Sequence, residues 1–170
     1  AKIIAFDLNK NDMLAKKLGF KYVKFDELLK RSDIISLHAP LNPKTHHMID
    51  LNEIKKMKKG VHIINTARGG LINPKALLYG LQKKIVAGAG LDVLEEECHI
   101  VEDKEVLSPH FPKVCDPQIL WQNHVLGKQK EVLITPHNAF NSWEALQRIL
   151  DTTLDNVSSF AKGKVKNRVN

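Results

Sequence analysis

Only two cysteines, Cys98 and Cys115, occur in 170 residues, too few for the disulfide framework that staples small secreted domains. They are not spaced as a C-x-x-C pair, so a paired-cysteine zinc knuckle is excluded too. Free thiols in a reducing cytosol are the expected state, and the cytoplasm is the expected location. Nowhere do about 18 apolar residues run together, and the N-terminus lacks a basic segment followed by an apolar one, so neither a membrane helix nor a signal peptide is expected. Aromatic residues are scarce at 6%. None interleaves with the densest basic run, Lys55-Lys56-Met57-Lys58-Lys59, which therefore has no stacking platform for nucleic acid. Behind Leu51 and Ile54 at helical spacing, those lysines read as the solvated face of a short helix. No G-x-S-x-G elbow is present, so a serine hydrolase is unsupported. There is no internal repeat and no low-complexity segment.

What remains is a globular composition, 43% apolar and 26% charged, at a length that suits one domain. The 26 Lys and Arg against 19 Asp and Glu leave a net charge of +7, which favours anionic ligands without naming one.

Short apolar runs alternate with helical patterns along the chain. Residues 2–6 read as a strand, 9–17 as a helix closed by Gly19, 22–23 as a weak strand, and 26–30 as a short helix. Residues 33–37 suit a buried strand. Asp50 can cap a helix over 51–58, residues 61–65 return as a strand, and Asn73-Pro74 opens a helix through Leu81 with a side-chain cap and an N1 proline. Residues 85–91 form the next strand, with glycines where backbone or ligand approaches closely. From 95 to 130 the periodicity fails and prolines 109, 112 and 117 appear; this reads as a long irregular excursion with one short helix near residues 119–121. Residues 132–135 make a last strand. Trp143, Leu146, Leu150, Leu154, Val157 and Phe160 then put an apolar stripe on a long C-terminal helix.

Strands separated by helices imply an α/β fold, a doubly wound parallel sheet with right-handed crossovers, and such sheets bind ligands beyond the carboxyl ends of their strands. Those positions hold Asp7, His38-Ala39-Pro40, Thr66-Ala67-Arg68-Gly69-Gly70, Asp92 and Pro136-His137-Asn138. An acid, a guanidinium and a histidine are thereby expected on one edge.

Four segments carry a resemblance: residues 36–41 (SLHAPL) followed by Thr45, 65–72 (NTARGGLI), 88–93 (GAGLDV) and 134–139 (ITPHNA). In this order they resemble the D-isomer-specific 2-hydroxyacid dehydrogenases, nearest the D-lactate dehydrogenase branch. The resemblance covers roughly residues 1–160. It implies a Rossmann-like NAD-binding domain over 1–140, and a C-terminal helix and tail, 141–170, that packs toward a separate substrate domain. It also implies NAD as cofactor, a small 2-oxo or 2-hydroxy acid as substrate, and a homodimer.

The family's roles fall on particular residues. Asp7 would accept hydrogen bonds from the ribose hydroxyls of NAD; its alternative is an ordinary strand-ending acid that caps the next helix. Arg68 offers a planar five-donor fork for a substrate carboxylate and can polarise the keto oxygen, the alternative being a loop-anchoring ion pair. His137 is the acid/base, since an imidazole can both donate and retrieve a proton near neutrality. Glu97, 29 residues after Arg68, takes the position of the carboxylate that orients the imidazole, with Glu95 as second choice. Asp92 would lie near the nicotinamide. Ala39, Pro40, Thr45, Thr66 and Ala67 would line the cofactor, with His38 shaping the wall. No metal is expected: His46-His47 are adjacent and His99, His110 and His124 follow in the irregular stretch, but no i, i+4 pair accompanies them.

The sequence departs from the family in one respect. The G-x-G-x-x-G turn that precedes the ribose-binding acid by about twenty residues is missing, because only six residues precede Asp7. With Ala1 at position one, a partial chain is expected, its sheet incomplete at the N-terminal end and its unaided turnover negligible. Phosphoglycerate or glyoxylate reduction is the rival within the enzyme class. A non-catalytic dinucleotide-sensing or dimerisation module is the rival outside it.

Overall fold

The computed structural model describes residues 1–96 and 116–168. The chain divides into two compact units, Ala1–Pro136 and His137–Asn170.

Side-chain caps start most of the helices. Asn11, rather than Asn9, opens α1 (Asp12–Leu18), its Oδ1 accepting the Leu14 N–H at 2.9 Å, and Gly19 closes it in the left-handed conformation at φ 74°. Helix α2 spans Phe25–Arg31. Asp50 and Glu53 form a reciprocal capping box at α3 (Leu51–Lys56). Asn73 accepts from the Lys75 and Ala76 N–H groups at the head of α4 (Pro74–Gln82), with Pro74 in the first turn as expected. Asp116 caps α5 (Pro117–Gly127), and Ser142 caps α6 (Trp143–Ala161).

Helix α5 corrects the reading of the stretch before residue 130 as irregular beyond one short helix. Its apolar residues Ile119, Leu120, Trp121, Val125 and Leu126 lie all round the helix instead of along one stripe, so periodicity did not reveal it. Only Leu126 among its residues is buried.

Every strand pairing in the described residues is parallel. Strands β1 (Ile4–Ala5) and β2 (Lys21–Tyr22) form one ladder, and β3 (Ile34–Leu37), β4 (Val61–Asn65), β5 (Val86–Leu91) and β6 (Val132–Ile134) form another in that order. The expected α/β class therefore stands, with the strands in two ladders instead of one continuous sheet. The core lies on the larger ladder. Ile35, Leu37, Val61, Ile63, Val86 and Leu91 are buried together with Ile54 of α3, Ala76 and Leu77 of α4, and Leu29 of α2. Removing a fully buried side chain such as Ile63 costs about 2–5 kcal/mol, lost transfer energy plus the cavity left behind.

One register row sets the functional geometry. Leu37 pairs with Asn65, Asn65 with Leu91, and Leu91 with Ile134, so four strands end level with one another. The residues that follow each of them emerge along one carboxyl edge.

The second unit is α6 with its flanking segments. Its apolar residues Trp143, Leu150, Leu154, Val157 and Phe160 recur at helical spacing and are exposed.

Candidate active site

The edge begins with Asn65, the last residue of β4 and 1% exposed. Its amide makes two bonds to the turn that follows: Nδ2 donates to the Arg68 carbonyl at 2.9 Å, and Oδ1 accepts the Ala67 N–H at 3.1 Å. This buried clamp fixes the path of Thr66, Ala67 and Arg68 at the strand end. Thr66 and Arg68 are exposed, and Ala67 is half-buried against the core. The Arg68 guanidinium donates from Nη1 to the Ala67 carbonyl at 2.7 Å, which folds the side chain over its own loop. Among the described residues the guanidinium has no carboxylate partner.

After Arg68 the chain makes a single 3-10 turn, Gly69–Leu71. Gly69 lies directly against the backbone of Leu94 and Glu95, and Gly70 is buried. The loop after β3 is tied to the same turn: His47 N–H donates to the Gly70 carbonyl at 2.8 Å, and Ile49 N–H to the Leu71 carbonyl at 3.0 Å. Within that loop the Thr45 hydroxyl donates to the Pro40 carbonyl at 2.6 Å and accepts the Asn42 N–H at 2.9 Å. Thr45 thus holds Pro40 and Ala39 in place. His38 meets Ser36, Nε2 to Oγ at 2.8 Å.

Asp92 follows β5 and is 5% exposed. Its N–H donates to the Asn65 carbonyl at 2.9 Å, and its carboxylate accepts the Thr135 hydroxyl just after β6. The aspartate therefore bridges the ends of adjacent strands, which gives its cap-like alternative a concrete form. Asp7, two residues past β1, is exposed; its Oδ1 accepts the Asn9 N–H at 2.8 Å. His137 stands three residues after β6, in a left-handed conformation at φ 49°. Glu97 lies outside the described residues.

Glu95 is drawn elsewhere. It is 7% exposed, and its Oε1 meets His46 Nε2 at 3.1 Å and His47 Nε2 at 2.7 Å. Asn123 of α5 donates to its carbonyl at 2.9 Å. The sequence offers Glu95 only as a second choice of orienting carboxylate and sets no metal at His46 and His47, and it does not foretell their meeting or the Asn65 clamp. Asn65 gave a signal, a polar residue closing a strand whose alternate positions are apolar. The Glu95 cluster gave none, because its members are 48 and 49 residues apart.

Known proteins resemble this chain along nearly all of its length. Residues 1–139 match the family model of the NAD-binding domain of D-isomer specific 2-hydroxyacid dehydrogenases. A 2-hydroxyacid dehydrogenase homolog from Zymomonas mobilis is 37% identical over 164 residues, covering 96% of this chain and 47% of that protein. The NAD-complexed D-isomer specific 2-hydroxyacid dehydrogenase of Lactobacillus delbrueckii ssp. bulgaricus superposes with a TM-score of 0.81 at 34% identity, over all of this chain and 49% of its own. A D-lactate dehydrogenase from Aquifex aeolicus, complexed with NAD and lactic acid, gives 0.77 at 36% identity, over 95% of this chain and 46% of that one. The chain spans about half the length of the relatives it matches. NAD is the cofactor of the matched domain. On this match and the parallel edge just described, the chain belongs to the D-isomer specific 2-hydroxyacid dehydrogenase family, as its NAD-binding domain.

Proposed function

We propose that this chain is the nucleotide-binding half of an enzyme that transfers a hydride between NAD and a small D-2-hydroxy acid or 2-oxo acid of the lactate and pyruvate type. The observation that carries the reading is the level row Leu37, Asn65, Leu91 and Ile134, from which the Pro40 loop, Arg68 and Asp92 emerge along one edge. In a dinucleotide-binding sheet of order 3-2-1-4-5-6, the pair 3-2 and the run starting at 4 are joined through strand 1, which leads into the glycine turn. The β1-β2 pair and the β3-to-β6 run correspond to those flanking pieces, and no strand pairs with both among the described residues.

The donor set fits the cofactor. The exposed Asp7 carboxylate suits a ribose diol and repels a 2′-phosphate, which favours NAD over NADP. Ala39, Pro40, Thr45, Thr66 and Ala67 bring no charge to the edge and suit the wall of an uncharged ring. When bound, NAD supplies or accepts the hydride. The protein's residues do the rest. Arg68 grips the substrate carboxylate with paired N–H groups and polarises the keto oxygen. His137 donates a proton to that oxygen during reduction and retrieves it in reverse. Glu97 fixes the imidazole's orientation. Asp92, held by Thr135, braces the ends of β5 and β6. The segment from residue 141 onward is read as the part that meets a substrate domain, the cytoplasm as the setting, and a homodimer as the assembly.

The test joins this chain to the N-terminal half of the Lactobacillus relative and follows NADH oxidation with pyruvate. Arg68→Gln should chiefly raise KM. His137→Ala should lower kcat by about 10²–10⁴, the usual loss with an acid/base group. A folded, active chimera indifferent to both changes would overturn the assignment.

A further inference from the structure

Apart from the carboxyl-edge chemistry, the structure gathers three side chains with metal-ligand donors at one point. His46, His47 and Glu95 each direct one ligand atom to a common locus, and these atoms lie within 4.8 Å of one another. We propose that they form a binding site for a divalent borderline transition-metal ion of the zinc class.

Three observations support the site. The first is spacing. In a tetrahedral zinc centre, bonds of about 2.0–2.2 Å put neighbouring ligand atoms roughly 3.3 Å apart. Here His46 Nε2 stands 3.1 Å and His47 Nε2 2.7 Å from Glu95 Oε1, so small adjustments admit an ion. Two imidazoles and a carboxylate are the donors of an open zinc site, with a fourth position left for water. The imidazoles exclude magnesium and calcium, which take oxygen ligands.

The second is an unmet need for positive charge. Glu95 is 7% exposed, and its Oε2 is buried without a hydrogen-bond partner among the described residues. No Lys or Arg pairs with this carboxylate among the described residues. A buried carboxylate oxygen is costly to leave unsatisfied. Both imidazoles instead crowd the single oxygen Oε1, with ring centroids 3.8 Å apart and planes at 25°. One metal ion at that point would meet the carboxylate and both rings together.

The third is preorganisation. Neighbouring side chains in extended backbone point to opposite sides, but His47 adopts the left-handed region at φ 51°, and the two rings share one side. Backbone bonds hold both ligand-bearing segments: His46 N–H to the Asn42 carbonyl at 2.8 Å, His47 N–H to the Gly70 carbonyl at 2.8 Å, and Asn123 Nδ2 to the Glu95 carbonyl at 2.9 Å. The His46 side chain is 52% exposed, which leaves an entry path on that side. The third ligand lies so far along the sequence from the histidine pair that no spacing motif announces it.

The test titrates Zn²⁺ by calorimetry, and Co²⁺ by its visible ligand-field bands, into the 170-residue chain carrying Cys98→Ser and Cys115→Ser to silence the thiols. Saturable one-to-one binding with a low-coordinate Co²⁺ spectrum is expected. His46→Gln, at an exposed position, should weaken it by on the order of tenfold or more, as loss of a ligand must. His47→Gln should do the same, and His124→Gln should leave it unchanged. Circular dichroism checks each variant, and Glu95→Gln is read only if it folds. No saturable binding, or binding that survives His46→Gln and falls with His124→Gln, would overturn the proposal. Neither result bears on hydride transfer, which the chimera tests separately.

Discussion

Gly69 sits so close to Leu94 that a Cβ added to it would lie 1.9 Å from both the carbonyl carbon and the carbonyl oxygen of Leu94, and 2.2 Å from the Glu95 nitrogen. These are backbone atoms and cannot swing aside. The turn carrying Arg68 and the strand-end segment carrying Glu95 are therefore pressed together at a point where only glycine fits.

Gly69→Ala should consequently cost more than an ordinary overpacking change, above about 3 kcal/mol. Gly90→Ala offers the contrast, because its added Cβ would meet only the mobile tip of Ile64, Cδ1 at 3.1 Å. Urea denaturation of both variants should rank them in that order. Equal losses would mean that the turn can shift as a body.

Asn65→Ala removes both bonds of the buried clamp and takes away the side-chain partner of the Ala67 N–H, while the Arg68 carbonyl keeps the Leu71 N–H at 3.2 Å. A loss of about 1–2 kcal/mol is expected from the two lost hydrogen bonds. In the chimera the same change should raise KM for pyruvate by at least as large a factor as it lowers kcat, since Arg68 loses its placement while His137 is untouched. Steady-state kinetics at fixed NADH would show this, and an unchanged KM would remove Asn65 from the account.

Asn73 both caps α4 and donates from Nδ2 to Asp50 Oδ1 at 3.0 Å, the residue that caps α3. Asn73→Ala should thus cost about 1–2 kcal/mol, the upper part of the range for a lost cap. Asn11→Ala, which removes a cap from the exposed helix α1, should cost less. Thermal melts of the two variants check the ranking.

Lys56 has its pKa raised above the ordinary 10.5, chiefly by its hydrogen bond to Asp26 Oδ1 at 3.0 Å, with the charges of Asp26 and Glu53 adding to it against some desolvation. A raised lysine pKa stabilises the fold below about 10.5 and ceases to do so as pH climbs through the folded value. Asp26→Asn should bring the Lys56 titration back down, measured by NMR at Nζ, and any stability difference from the parent should vanish at strongly alkaline pH. A Lys56 titration that stays put in Asp26→Asn would contradict the pairing.

Much of this architecture is written locally. Asn73-Pro74, Asp50 with Glu53 and Gly19 each specify a helix end through their own side chains or backbone freedom, and the structure places boundaries within a few residues of where those signals fall. The ends of β3, β4, β5 and β6 fall at or within one residue of where the apolar runs stop, with Arg68 and Asp92 following β4 and β5. Helix α5 was not legible, because its apolar residues encircle it and give no stripe for periodicity to detect. The separation of β1-β2 from the larger ladder, the fit of Gly69 against Leu94, and the meeting of Glu95 with His46 and His47 are contacts between distant segments. Nothing in the local sequence encodes them. Glu95 illustrates the consequence: it was a second choice as the imidazole's partner in the sequence, whereas its carboxylate is committed to a different pair of histidines.

That commitment separates two neighbouring glutamates. In the chimera Glu97→Gln should depress kcat by about tenfold or more while leaving stability nearly unchanged, as for a group that orients an acid/base residue. Glu95→Gln should instead lower stability, because its buried contacts change. The reverse pattern would return the catalytic carboxylate to Glu95.

The most direct test of the central reading is the configuration of the product. The chimera, supplied with NADH and pyruvate, should form D-lactate alone, resolved by chiral chromatography, with formation lost in His137→Ala. Formation of L-lactate or of a racemate, or a folded chimera that binds NADH and reduces no 2-oxo acid, would contradict the assignment of this chain as the cofactor-binding half of a D-2-hydroxyacid dehydrogenase.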